Sequence, residues 1–161
     1  MDILQNFAEW AWARHQNPWS WYVRPLFLVP FAYFAWRRSM AGVMATVLGL
    51  ATSMFWFPAP SMPDARSVEF LEAERQYLRG PWSATTFLSA ASVPAFFIAV
   101  AMAFWRRAIW IGLALINAAS LLKIGWSFYY GGSSAWAILP PATLGLVAIN
   151  AFVVFALWRS K

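Results

Sequence analysis

The chain has 161 residues, 61% of them hydrophobic and only 11% charged, whereas an ordinary soluble domain is about a quarter charged. The excess of twelve Lys and Arg over six Asp and Glu does not point to nucleic acid, because acids and bases are segregated along the chain rather than mixed on one basic face. The absence of cysteine excludes a disulfide, a thiolate metal site and a thiol nucleophile, and the mean hydropathy of +0.55 describes a single small unit solvated mostly by lipid.

Residues 1–18 begin with Asp2 as a candidate N-cap and then place Ile3, Leu4, Phe7, Ala8, Trp10 and Ala11 on one side against Gln5, Glu9 and Gln16. That spacing predicts a helix too short and too polar to span, either lying in the membrane interface or packed on the bundle with its other side in water, and ending at Asn17-Pro18. The same segment lacks a basic stretch followed by an apolar core and a small-residue cleavage site, so it does not read as a signal peptide.

The next run, 19–36, is apolar apart from Arg24. About 18 residues at ~1.5 Å each give ~27 Å, enough for the hydrocarbon core, with Pro30 expected to kink it near the middle. Arg37-Arg38-Ser39 reverses the chain, and 40–57 returns with Gly42, Ala45, Gly49 and Ala51 as a small-residue surface for close packing. Pro58, Pro60 and Pro63 then interrupt it. Residues 64–80 follow, with Val68, Phe70, Leu71, Tyr77 and Leu78 apart from Glu69, Glu72, Gln76 and Arg79, and this predicts a second amphipathic interfacial helix stopped by Gly80-Pro81. Three further spans are expected at 83–105, 109–130 and 137–158, with Pro94 kinking the first and Gly131-Gly132-Ser133-Ser134 forming a turn before the last.

The predicted fold is therefore all-α: a polytopic membrane bundle of five transmembrane helices and two amphipathic helices on the outer side, in one domain over 1–161. Long apolar runs end at Trp36-Arg37-Arg38, Trp105-Arg106-Arg107 and Trp158-Arg159. Indole at the headgroup level with arginine beyond it marks cytoplasmic ends. One aqueous side then receives Arg37, Arg38, Arg106, Arg107, Arg159 and Lys161 and no acid, while the other receives all six acids and the rest of the arginines. The expectation is an N-terminus outside, a C-terminus inside, and residence in a bacterial inner membrane. Asn17-Pro18-Trp19-Ser20 and Gly80-Pro81-Trp82-Ser83 each open a proline-bearing span that ends in Trp-Arg-Arg. The unit is seen twice in the same direction, which is the pattern of a parallel internal repeat, although any two hairpins running the same way would also carry Trp-Arg at their inner ends.

Few residues bear chemistry. Lys123 falls inside a span, where a cation is costly unless it reaches water or a partner. With Arg24 it could hold an anionic headgroup or carboxylate. Asn117 and Asn150, on adjacent spans, read first as interhelical glue. His15 is the only histidine, so no multi-histidine metal site is available, and no cofactor fingerprint is present. His15 with Glu69 and Glu72 is the one acid–base combination on the outer side, against which a merely solvated charged face is the plainer account. Three functions are compatible: a non-enzymatic protein acting by helix association, as a homo-oligomer or an accessory subunit, which is favoured; a small transporter or channel with an outward cavity at Lys123 and Asn117; and an interfacial enzyme acting on lipid headgroups from the outer leaflet. The partners expected are the bilayer, other membrane helices and an anionic lipid or small molecule.

Overall fold

The computed structural model describes residues 3–159. The N-cap expected at Asp2 and the terminal Lys161 lie outside the described residues, as do the side chains of Leu4, Leu78 and Arg159. Of the described residues 85% are helical and none is in a strand. The helices are α1 (Ile3–His15), α2 (Pro18–Leu26), α3 (Leu28–Trp36), α4 (Met40–Thr52), α5 (Ala65–Arg79), α6 (Ala84–Trp105), α7 (Ile109–Gly131) and α8 (Leu139–Arg159), with 3-10 turns at Ser53–Phe55 and Gly132–Ala137.

Three of these, α6, the run from Ile109 to Ala137, and Leu139–Trp158, are long and apolar enough to cross a membrane. The apolar run 19–36 differs from the single helix expected: it is two nine-residue helices, α2 and α3, joined at Phe27. Pro30 supplies the reason, since it has no amide to give the Leu26 carbonyl and its ring crowds that carbonyl. The break therefore falls one turn before the proline. Pro94, by contrast, lies within α6 without interrupting it. The return run 40–57 is α-helical only to Thr52 and tightens into a 3-10 turn through Phe55.

Helix starts follow their caps. Ser39 accepts from the Gly42 amide, Asp64 from Ser67 and Ser83 from Thr86, each supplying an acceptor for an otherwise unpaired first-turn donor. At the other end of α5, Gly80 is extended rather than left-handed, as the following Pro81 requires.

The core is apolar, aliphatic side chains packed with phenylalanine. Phe31, Ala35, Val43, Val100, Phe104, Ile116, Ile149 and Val153 form its centre, drawn from α3, α4, α6, α7 and α8. Helix α2 packs along α8 so closely that a Cβ on Gly145 would collide with the Pro25 ring. On α4 the small-residue surface is partly consumed within the chain: Gly42 lies under the Phe34 ring and Gly49 under Phe27. A second, smaller cluster of Trp21, Phe70 and Leu71 fastens α5 to the start of α2. Helix α5 also packs on the Gly132–Ala137 turn. The carboxylates of α5 thus sit at the C-terminal end of α7, while Arg106 and Arg107 precede its first residue. Twenty-three residues at ~1.5 Å separate the two groups by roughly 34 Å along that helix.

Candidate functional site

The densest polar constellation forms where α1 hands over to α2. His15 and Arg14 occupy the last turn of α1. Asn17 caps α2, its side chain accepting from the Trp19 amide at 3.0 Å, and Pro18 takes the first helical position, where no amide is needed. Trp21 and Arg24, three residues apart on α2, then project to one side. Trp21 Nε1 donates to the His15 carbonyl at 2.7 Å, and Arg24 Nη1 lies 3.2 Å from His15 Nε2. From the other direction Arg14 Nη1 donates to the carbonyls of Phe55 and Phe57, both at 3.1 Å, and Asn17 Nδ2 to that of Pro58 at 2.9 Å. Two side chains thereby satisfy the carbonyls of a proline-broken strap that cannot satisfy them itself.

His15 is 93% buried, at 7% relative exposure, between the rings of Trp12 and Trp21. A guanidinium only donates, so the lone pair facing it is on Nε2 and the ring proton is on Nδ1. That Nδ1 has no hydrogen-bond partner. Burial first, and the Arg24 charge second, push the ring down to a pKa of about 3. An imidazole whose lone pair is engaged by an arginine is a weak base near neutrality. The arrangement fixes the Arg24 guanidinium against the buried face of the His15 ring.

The structure brings only part of the expected set together. His15 and Arg24 meet. Glu69 and Glu72 do not join them: both are exposed and line a shallow groove on α5 with Ala65, Val68, Ala73 and Gln76. Glu72 instead faces Arg75 at 4.0 Å, a solvent-exposed pair worth a few tenths of a kcal/mol, about 0.3. Among the described residues no carboxylate pairs with His15, and no group of three or more His, Asp or Glu could hold a metal. The Asp64 carboxyl is held below the usual range by the Ser67 amide and hydroxyl that it accepts from.

Asn117 and Asn150 form a reciprocal amide pair across α7 and α8, with Nδ2 to Oδ1 distances of 3.2 and 3.1 Å. Each also donates to the carbonyl four residues earlier, Leu113 and Leu146, at 2.8 Å. All four amide N–H groups are therefore used. Lys123 does not share their direction: its side chain is exposed, between exposed Leu122 and half-buried Ile124. Asn117 and Lys123 are six residues apart, two three-residue steps, and each such step falls about 60° short of a full turn. Two such steps carry Lys123 a third of the way round α7.

The residues that the sequence reading passed over are Arg38 and Arg107 as backbone elements. Both adopt positive φ, 56° and 63°. The signal was available: a helix reversal of this kind usually needs a left-handed residue, and Arg37-Arg38-Ser39 offers neither Gly nor Asn. Compared with models of protein families, with curated proteins and with solved structures, the chain matches none.

Proposed function

We propose that this is an integral membrane protein that crosses a bacterial inner membrane five times, N-terminus outside, and works without catalysis by associating with other membrane helices. In this reading α2 and α3 together make the first span, α4 with its 3-10 extension the second, and α6, α7 and α8 the remaining three. The roughly 34 Å between the acid-bearing α5 and the arginine corners, with every described carboxylate away from those corners, supports the orientation.

The observation that carries the association reading is the bare outer half of α6. From Ala84 to Ala95 only Thr86 is buried and only Ser89 half-buried; the other ten residues are exposed. Helix α6 packs chiefly against α3 and α7, through residues of its second half such as Phe96, Phe97, Val100 and Phe104. The outer-end cluster ties α1, α5 and the 55–58 strap to α2 and the 132–137 turn, and so leaves this segment uncovered. Its sequence, ATTFLSAASVPA, is dominated by Ala, Ser and Thr. Small residues let helix backbones approach in lipid, where hydrophobic burial gives no drive between helices and contact must.

Because the chain has no cysteine, single introduced cysteines test both parts. Ser92→Cys in native membranes should cross-link to a second copy or to another subunit, and Ala45→Cys on α4 should not. Equal cross-linking at both positions, or none at Ser92, would reject the association surface. Ser61→Cys should react with an impermeant thiol reagent from outside and Ser39→Cys only after permeabilisation; the reverse would overturn the threading.

A further inference from the structure

The strained arginines stand where glycine is the usual occupant. Arg38 and Arg107 are each the left-handed residue of a helix-ending motif with the same two hydrogen bonds: Arg38 N to Ala35 O and Ser39 N to Phe34 O in one, Arg107 N to Phe104 O and Ala108 N to Ala103 O in the other. A side chain resists this conformation, so the position is unfavourable for arginine unless the guanidinium is needed there. The two corners also hold each other. Arg38 Nε donates to the Trp105 carbonyl at 3.1 Å, and the Arg107 guanidinium lies 4.0 Å from the centre of the Trp36 ring. One contact uses a single N–H of Arg38, the other only the flat face of Arg107. Most of the N–H edge of both groups stays available, and both are fixed in direction.

We propose that these paired corners clamp the phosphate of an anionic phospholipid in the inner leaflet. This rests on the membrane placement above but not on the association surface. The phosphate of a phosphodiester is the acceptor that two forked guanidinium groups match, and Trp36 and Trp105 set the corners at headgroup depth. Exposed Arg37 and Arg106 flank the pair, and no described acid lies at this end. That surplus of positive charge repels the ammonium of a zwitterionic headgroup, which selects a net-negative lipid.

The test is native mass spectrometry of the protein released from nanodiscs containing equal phosphatidylglycerol and phosphatidylcholine. Wild type should retain phosphatidylglycerol selectively. The Arg38→Gly/Arg107→Gly variant keeps the backbone in a conformation that glycine prefers, so it should fold at least as well, yet lose at least about tenfold of the preference, because two direct charge-assisted guanidinium–phosphate contacts go with the side chains. Should it misfold, Arg38→Asn/Arg107→Asn, which also tolerates left-handed φ, gives the same reading. Arg37→Gln/Arg106→Gln removes the same net charge and should keep most of the selectivity. Equal losses in the two double variants would overturn the clamp in favour of net charge alone. Displacement of the lipid by inorganic phosphate would overturn the lipid assignment in favour of a soluble anion. A protein that fails to enter the nanodisc at all would instead defeat the membrane placement.

Discussion

At Trp36-Arg37-Arg38 and Trp105-Arg106-Arg107 the chain turns with the same backbone hydrogen bonds and the same left-handed arginine, while the two Pro-Trp-Ser segments that begin the same units are built differently. In the first, Asn17 is the cap, Pro18 opens α2, and Ser20 is fully buried inside the helix, donating to the Asn17 carbonyl at 2.8 Å. In the second, Ser83 is itself the cap, and Trp82 stays outside the helix and exposed. The helical run after the first segment, α2 and α3, is broken at Phe27 and packed along α8; α6, after the second, is continuous and bare over its N-terminal half. A repeated motif therefore gives a repeated structure where its environment is local backbone, and diverges where neighbours decide. The corners need only a helix end, an arginine and the opposite corner. The approaches depend on what α5, α8 and the strap place beside them.

That difference can be broken experimentally, beginning with acid. His15 is buried in the first approach, and its counterpart region before Pro81 holds exposed Arg79 instead. With a folded pKa of about 3 against an ordinary 6.5, the unfolded chain binds the extra proton anywhere between those values. Stability is full above about pH 6.5 and should fall by about 1.4 kcal/mol per pH unit down to about pH 3, below which this contribution is flat. Thermal melting of the detergent-held protein across that window should show the slope, and His15→Gln should remove it. A slope that survives the substitution would place the acid sensitivity elsewhere.

Packing gives the next largest effect. Gly145→Ala sets a methyl into the rigid Pro25 ring and should cost about 1 to 3 kcal/mol, whereas Ala91→Val on the bare half of α6 should stay within about 0.5 kcal/mol in the isolated chain. Comparable melting shifts for the two would mean that α6 is covered after all. The caps come third. Asn17→Ala removes both the cap of α2 and the hydrogen bond to the Pro58 carbonyl and should cost up to about 2 kcal/mol, Ser83→Ala about 1. The smallest effect is expected at the corners: Arg38→Gly and Arg107→Gly should each be neutral or stabilising, by up to about 1 kcal/mol and by similar amounts. Unequal responses would show that the corners match in backbone only.

Much of this was legible in the residues. The acceptor at Ser39, the breakers at Pro58, Pro60 and Pro63, and the arginine pairs each act on the few residues beside them, so helix ends were readable to within a few positions. Of the apolar set on α5, Phe70 and Leu71 are buried and Tyr77 is exposed. Proline was read less well. Pro30 and Pro94 look alike in sequence, yet one accompanies a helix break and the other does not, because the strain of a lost amide can be absorbed along a helix or concentrated at one residue according to what packs on it.

Composition and local chemistry alone determined that this chain is helical and apolar enough for lipid, where its capped helices start, and that its charges are sorted by segment. Tertiary structure alone decided that Arg24 would meet His15 rather than Lys123, that Asn117 and Asn150 would saturate each other, that Glu69 and Glu72 would not join the histidine, and that the N-terminal half of α6 would be left bare. The reason is range: caps, prolines and helix-ending arginines act over one turn of backbone, whereas which side chains meet depends on helix rotation and contacts between residues far apart in the chain, which no short window of sequence contains.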